Sequence, residues 1–501
     1  MMRVVQNSQM QIGEVDISKI QLDLKSRDDI PRILRGLQHL YADVPVREKI
    51  FKLLEAEMLP TVNLNNGRPG MELWKILVCG VVRLDLNADY DRLHELVNNH
   101  CKIREMMGHS EYDKKYYHLQ TIIDNVCLFK PELLEKISQV VVEAGHDLLK
   151  VNGDEALHGR CDSFVVETDV HFPTDINVLW DAMRKVVTLT AEWCSAHGIS
   201  DWRQHAYNVR HIKRSMRSAS SKKRSKAKSE EKKKQNEELI IKAHQEYIAV
   251  CKGYLDKAVA TIAMLVQQGF TSDTDTQKKL EIEDYIKHAT RQIDQTKRRV
   301  ILNEVIPHAE KVFSIFEPHT EWISKGKAGV PVEFGIKVSI LEDQHRFILN
   351  HQVMENLTDD KVAVSMVVES IARFPNLISC SFDKGFHSPE NQIELKEKLD
   401  LVVLPKKGKL SKQAKAAEQT KEFIEARHAH SAVESAINAL EVHGLDMCPD
   451  HGINGFKRYV ALAILTRNIH RVGDILWKKE QLREQRKKRN SDNDPLYKQA
   501  A

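Results

Sequence analysis

The sequence predicts a mixed α/β protein: a mixed sheet with flanking helices, preceded by an all-α N-terminal domain and split by a long helical insertion. Three observations carry this. Apolar residues recur at helical spacing through roughly the first 150 positions. Val332, Phe334, Ile336, Val338 and Ile340 alternate with Glu333, Gly335, Lys337 and Ser339, which is the period of a strand with one buried face. Between about residues 178 and 317 the helical pattern returns, with no strand-like Val/Ile run of useful length.

In chain order, RILRGLQHLY, ELWKILVCGVVRLDL and LHELVNNHCKIREMMG each show a helical stripe, and Asn65 to Gly70 form the clearest break, with a helix starting at Met71. Residues 1–150 therefore read as one compact helical domain. RCDSFVVETDV, within 156–170, is β-branched and without a helical stripe, so a strand follows, with Asp162 at its start and a proline turn in HFPTD. Asp175 is placed as the cap of the helix INVLWDAMR. Residues 181–317 form the insertion, whose polar stretch at 213–234 has almost no apolar content and is expected at a helical tip or loop. After it come a hairpin turning at Glu342 to His345, a helix near 361–373, a strand NLISCSFD, a helix near 389–399, a strand LVVLP and one long helix from about 412 to 442. The core thus occupies 155–180 and 318–475, and a basic polar tail fills 476–501.

Lys plus Arg number 75 against 71 Asp plus Glu, so net charge alone does not select a nucleic-acid partner; local clusters must. The eight cysteines contain no CxxC pair and no regular framework, which fits a reducing compartment. The N-terminus lacks a secretory pattern and the longest apolar run, Trp74 to Val82, is too short to span a bilayer, so a cytoplasmic protein is expected. His100, His171, His387 and His451 lack the paired spacing of a closed zinc site, and no structural zinc is expected.

Three acids stand where chemistry on a phosphodiester needs them: Asp162 on the first strand, Asp383 at the end of NLISCSFD before Lys384 and Gly385, and Glu434 on the late helix. Divalent ions such as Mg2+ take hard oxygen ligands, and a few converging carboxylates with open positions suit them. From local sequence alone Asp383 is equally a turn cap. The face carrying Arg427, His430, Glu434, Asn438 and Glu441, beside a stripe of Val433, Ile437 and Leu440, is, taken alone, more commonly a solvated helix face. Asp169 is the alternative first acid. Cations cluster at 213–234, at Lys406, Lys407 and Lys409, and at 478–489; the lysine loop follows a core strand directly and should emerge at the sheet edge that carries Asp383.

Three segments resemble the motifs of DDE transposases of bacterial insertion sequences. FDKGFHSPEN resembles their second-aspartate motif, RHAHSAVESAINALEVHGLDMCPDHGINGFKRYVALAILTRNIHRVG their third-acid segment in the ISNCY-like group, and CDSFVVETDVHFPTDINVLWDAMR their first-aspartate segment. Phe164 departs from the Thr or Ser usual two positions after the first aspartate. The resemblance covers about 155–475, and Asn66 to Gly108 further resembles the InsH-type N-terminal domain. It implies an RNase-H-like core in which Asp162, Asp383 and Glu434 hold two Mg2+ ions, with Mn2+ able to substitute, and in which Lys406, Lys407, Lys409 and Arg427 contact DNA. The implied partners are double-stranded DNA, as terminal inverted repeats and target, and further copies of the chain in a dimer or larger synaptic complex, in a bacterial cytoplasm and nucleoid-associated when bound. The same metal chemistry without strand transfer, as in an RNase-H-like nuclease or resolvase, and an inactive DNA-binding derivative are the alternatives.

Overall fold

The computed structural model describes residues 4–6, 13–23, 25–58, 70–151, 155–223, 229–324 and 331–492. The helices are α1 Ile30–Ala42, α2 Val44–Met58, α3 Leu73–Asp85, α4 Tyr90–Asn99, α5 Cys101–Met106, α6 Leu119–Val126 and α7 Pro131–Leu149, then β1 Leu157–Thr168. Next come α8 Asp175–Ala196, α9 His205–Lys223, α10 Glu230–Gln267 and α11 Asp273–Val300, followed by β2 Glu321–Ser324, β3 Val332–Glu342 and β4 Ile348–Met354. The chain continues through α12 Asp359–Arg373, β5 Leu377–Phe382, α13 Pro389–Lys398, β6 Leu401–Val403, α14 Lys412–Glu418, α15 Lys421–His430, α16 Ala432–Leu440, β7 Met447–Cys448 and α17 Gly452–Asp492. It divides into two compact units, Met1–Asp169 with Ile323–Ala501, and Val170–Trp322.

The first unit is built on a mixed sheet of order β2-β3-β1-β5-β6, with β4 on β3 and β7 on β1. β1 runs antiparallel to β3 from Arg160↔Glu342 to Glu167↔Gly335, and β3 antiparallel to β4. β1 is parallel to β5, and β5 to β6. The β3–β4 hairpin turns where the sequence indicates: the Asp343 carboxylate accepts from the His345 and Phe347 amides at 2.8 and 2.9 Å, and Arg346 takes the left-handed conformation, φ 69°. These side-chain bonds satisfy donors that the turn frees from the ladder.

The N-terminal helices, expected as a domain of their own, share one apolar core with this sheet, running from Ile17 and Leu34 through Trp74 and Ile137 to Val166, Phe382 and Ile469. Periodicity marks which face of a helix is buried but not what covers it. The cover is α17, which packs on α1, α3 and α7. α3 is buried on all sides except at Lys75, as its unbroken apolar run requires. The tail expected from residue 476 begins inside α17, which runs to Asp492.

The second unit is the helical insertion, wider than expected, and no residue described between 181 and 317 is in a strand. α8 packs on α9 and α11, and α10 on α9, around Trp180, Trp193, Trp202 and Tyr247. Asp175 does not cap α8. Thr174 does, accepting from the Asn177 amide at 3.2 Å, while Asp175 in the first turn pairs with Arg299 at 2.9 Å. A threonine hydroxyl one residue earlier reaches the free amides of the first turn. Residues 224–228 of the expected basic tip, and most of the Asn65–Gly70 break, lie outside the described residues. Among the described residues no helix is long and apolar enough to cross a membrane.

Candidate active site

The ladder between β1 and β5 ends at Cys161↔Phe382, so the next residue on each strand is an aspartate: Asp162 and Asp383 stand side by side. Neighbouring strands lie about 4.8 Å apart, which sets the scale of their separation. Asp162 is in the middle of β1 and not at its start, because Leu157, Gly159 and Cys161 already alternate into the core and extend the strand backwards. Asp169, the alternative, is exposed past the other end of β1, about 23 Å along the strand at ~3.3 Å per residue. It does not join Asp383. Phe164, the residue that departs from the family pattern, is a core side chain.

A third aspartate, not singled out in the sequence, completes this group. Asp359 opens α12, accepts from Ser163 Oγ at 2.7 Å and pairs with Lys337 Nζ at 3.0 Å. Its carboxylate lies so close to Gly385 that a Cβ there would come within 2.9 Å of Asp359 Oδ2, which explains the glycine after Asp383 and Lys384. In the sequence Asp359 reads as one of two acids in a helix first turn, an ordinary dipole partner, and nothing local sets it apart.

The charges act on one another. Burial pushes the Asp162 carboxyl up to about 6; its bond from the Ser163 amide at 2.7 Å opposes this, and the negative charges of Asp383, Asp359 and Glu434 add to the rise. His430 donates to or accepts from Ser381 Oγ at 3.0 Å, and burial holds its pKa below the ordinary value, with Asp383 and Glu434 pulling it up and Arg160 pushing it down. Glu434 on α16 and Asp383 therefore flank both Asp162 and His430. Asp383 and Glu434 are exposed, whereas Asp162 and Asp359 are half-buried, so the acidic group opens to solvent on one side.

The long helix expected over 412–442 is three helices, broken around Thr420, whose hydroxyl accepts from the Phe423 amide and restarts the chain as α15, and again at Ser431. Arg427 is exposed on α15, one element before the helix that carries Glu434. Val433 and Leu440 are buried, as the apolar stripe indicates. Lys407 Nζ donates to the Gly385 carbonyl at 2.9 Å, which brings the lysine loop against the turn after Asp383, and the amide of Lys406 is held by Glu418 at 3.0 Å; Lys409 is exposed.

A second group was missed. Among the described residues, Asp85, His443 and His470 form the one set of three whose ligand atoms all lie within 4.8 Å of one another, and this buried trio can hold a metal ion. Asp162, Asp383 and Glu434 are not that close. The expectation of no such site rested on paired spacing, whereas these ligands come from α3, from the irregular turn Glu441–Leu445 and from α17. Of the histidines weighed in the sequence, His100 caps α5 and His171 bonds Asp181 at 2.6 Å.

Comparison of the chain with protein-family models, with curated proteins and with solved structures finds no match.

The electrostatics of Asp162 give a pH-dependent result. Its folded pKa is raised, so its contribution to stability is fully present below the unfolded value of 3.8 and is lost as pH rises through about 6. Asp162→Asn keeps an acceptor for the Ser163 amide and removes the charge. It is expected to melt a few degrees higher than the parent at pH 7, a gain on the order of 3 kcal/mol at ~1.4 kcal/mol per pKa unit, and to show little advantage at pH 4. Thermal melts across that range check this; a variant that melts lower at pH 7 would show that burying the Asp162 charge does not cost the fold stability.

Proposed function

We propose that this chain is a DDE-type transposase that cuts and rejoins DNA ends of a bacterial insertion sequence. The observation that carries the reading is the juxtaposition of Asp162 and Asp383, each next after the last ladder pair of adjacent parallel strands, with the charge of Glu434 bearing on Asp162. An RNase-H-like identity for the core is supported by the run β4-β3-β1-β5-β6, in which three antiparallel strands are followed by two parallel ones. The three motif resemblances stated above point the same way.

The donor set fits a hard divalent ion: carboxylate oxygens only, partly open to solvent, with the negative charges of its members adding to the rise that burial gives Asp162. Mg2+, or Mn2+ in its place, would be held by Asp162, Asp383 and Glu434 and would ready a water or 3′-hydroxyl oxygen while stabilising the leaving oxygen. The residues of the chain do the rest. Lys337 and Ser163 hold Asp359 in place, so that its charge stays beside Asp162 without competing as a free ligand. Lys406, Lys407, Lys409 and Arg427 supply cations beside the acidic group for the phosphates of the bound strand, and such contacts position DNA without reading its sequence. Recognition of terminal inverted repeats falls to the N-terminal helices, and the protein acts as a dimer or larger synaptic complex in the bacterial cytoplasm, on the nucleoid when bound to DNA.

The test is incubation of the purified protein with its element's end sequences joined to flanking DNA, with Mg2+ or with EDTA. Mg2+-dependent cleavage at the ends, followed by joining of the 3′ end to a target duplex, is the expected result. Cleavage without joining would reassign the protein as a nuclease or resolvase, and DNA binding without cleavage as an inactive derivative.

A further inference from the structure

We infer that Asp85, His443 and His470 form a structural site for a zinc-class divalent ion, separate from the acidic group and independent of the transposase reading. Asp85 is the last residue of α3, His443 lies in the turn Glu441–Leu445, and His470 is in the middle of α17. One carboxylate oxygen and one nitrogen of each imidazole lie within 4.8 Å of one another. Asp85 and His470 are only 3 % and 4 % exposed and His443 is half-buried, so an ion there would be largely enclosed, with its fourth position left to a water.

Hydrogen bonding within the trio leaves a polar atom unsatisfied. His470 Nδ1 meets Asp85 Oδ1 at 2.7 Å and His443 Nδ1 meets the Asp85 main-chain carbonyl, yet Asp85 Oδ2 is buried with no hydrogen-bond partner. A buried carboxylate oxygen left without a partner is costly, and an unexplained one is a place to look for an ion. A cation bound among the three groups would satisfy it. Two imidazoles and a carboxylate are a borderline-soft set that favours Zn2+, Co2+ or Ni2+ over Mg2+. Ligand atoms about 2.0–2.2 Å from a tetrahedral ion stand roughly 3.3 Å apart, so the Asp85–His470 contact needs to widen by only about half an ångström. On binding, the proton shared by His470 and Asp85 leaves to solvent and the ion takes its place.

The site would tie together three elements far apart in sequence. Gly444, in the left-handed conformation at φ 100°, lies between His443 and the start of β7, and a Cβ there would press on the Tyr459 hydroxyl and Asn87 Oδ1. The turn is thus already seated against the end of α3. An ion at His443 would pin it there, and with it the C-terminal end of α16, the helix that carries Glu434.

The experiment is metal analysis of the whole protein after loading with Zn2+ and exhaustive dialysis, paired with Co2+ titration followed by visible absorption and with thermal melts. One equivalent of Zn2+ is expected to stay bound, Co2+ is expected to give the intense bands of a four-coordinate site, and EDTA is expected to lower the melting temperature. His443 is the half-buried member, so His443→Gln is the variant least prone to misfold; it is expected to melt like the EDTA-treated parent and to bind Zn2+ at least about 100-fold more weakly. Asp383→Asn is expected to retain the equivalent. If the parent retains no Zn2+ and Co2+ stays octahedral, or if Asp383→Asn loses the ion while His443→Gln keeps it, the assignment is overturned and a shared proton alone holds the trio together.

Discussion

Glu434→Gln is expected to lower Mg2+-dependent cleavage of end-sequence DNA by at least about 10²–10³-fold while leaving the fold and DNA binding intact. The substitution keeps size and hydrogen-bonding capacity but removes the negative charge that a hard cation requires, and losing a direct ligand should cost more than the 10–100-fold typical of groups one shell further out. The side chain is exposed, so little packing is lost. Phosphate contacts come from cations, which the change does not touch. Glu441→Gln is the control. Glu441 lies two turns on, about 10 Å along the helix axis, where α16 has given way to the irregular turn. Cleavage assays on both variants beside a thermal melt decide the matter: an active Glu434→Gln, or a dead Glu441→Gln, removes Glu434 from the site.

The largest effect on stability is expected at the crossing of α1 and α17. A Cβ at Gly473 would overlap the Arg32 carbonyl oxygen, and one at Gly36 the Ile469 carbonyl oxygen, so each helix presents a glycine to the other's backbone. Inside a helix, Gly→Ala ordinarily stabilises by ~1 kcal/mol. At Gly473 overpacking against rigid backbone outweighs this, and Gly473→Ala should destabilise by roughly 3 kcal/mol, seen as a fall in melting temperature of about 5–10 °C. Gly253 in α10 faces open space, with nothing within 4 Å of its would-be Cβ. Gly253→Ala should therefore stabilise by the ordinary helical amount. Equal behaviour of the two variants would show that α1 and α17 do not approach closely.

Much of the site's frame could be read before folding. The alternation from Val332 to Ile340, the turn after Glu342 and the strand–helix order that follows are local properties of side-chain period and turn chemistry, and β3, β4, α12, β5, α13 and β6 fall where these put them. Asp383 stood out because a strand ended on it. Asp359 did not stand out, because a first-turn acid is ordinary until Ser163, Lys337 and Gly385 are seen around it. The segment 412–442 misled because its helical stripe continues across interruptions at Thr420 and Ser431 that a threonine cap and a single turn residue suffice to make.

The sequence by itself determined most of the elements, their order, the helical character of the insertion and the candidacy of Asp383 and Glu434, since each depends on residues within a turn or two of one another. Only the tertiary structure decided between Asp162 and Asp169, because strand register is set by pairing with β5 and a strand places its residues about 3.3 Å apart. It alone merged the N-terminal helices with the sheet in one core, through the shared cover of α17. It alone brought Asp85, His443 and His470 together. Spacing along a chain reports proximity only within one element; ligands contributed by a helix end, a turn and a second helix meet through packing, which no local pattern encodes.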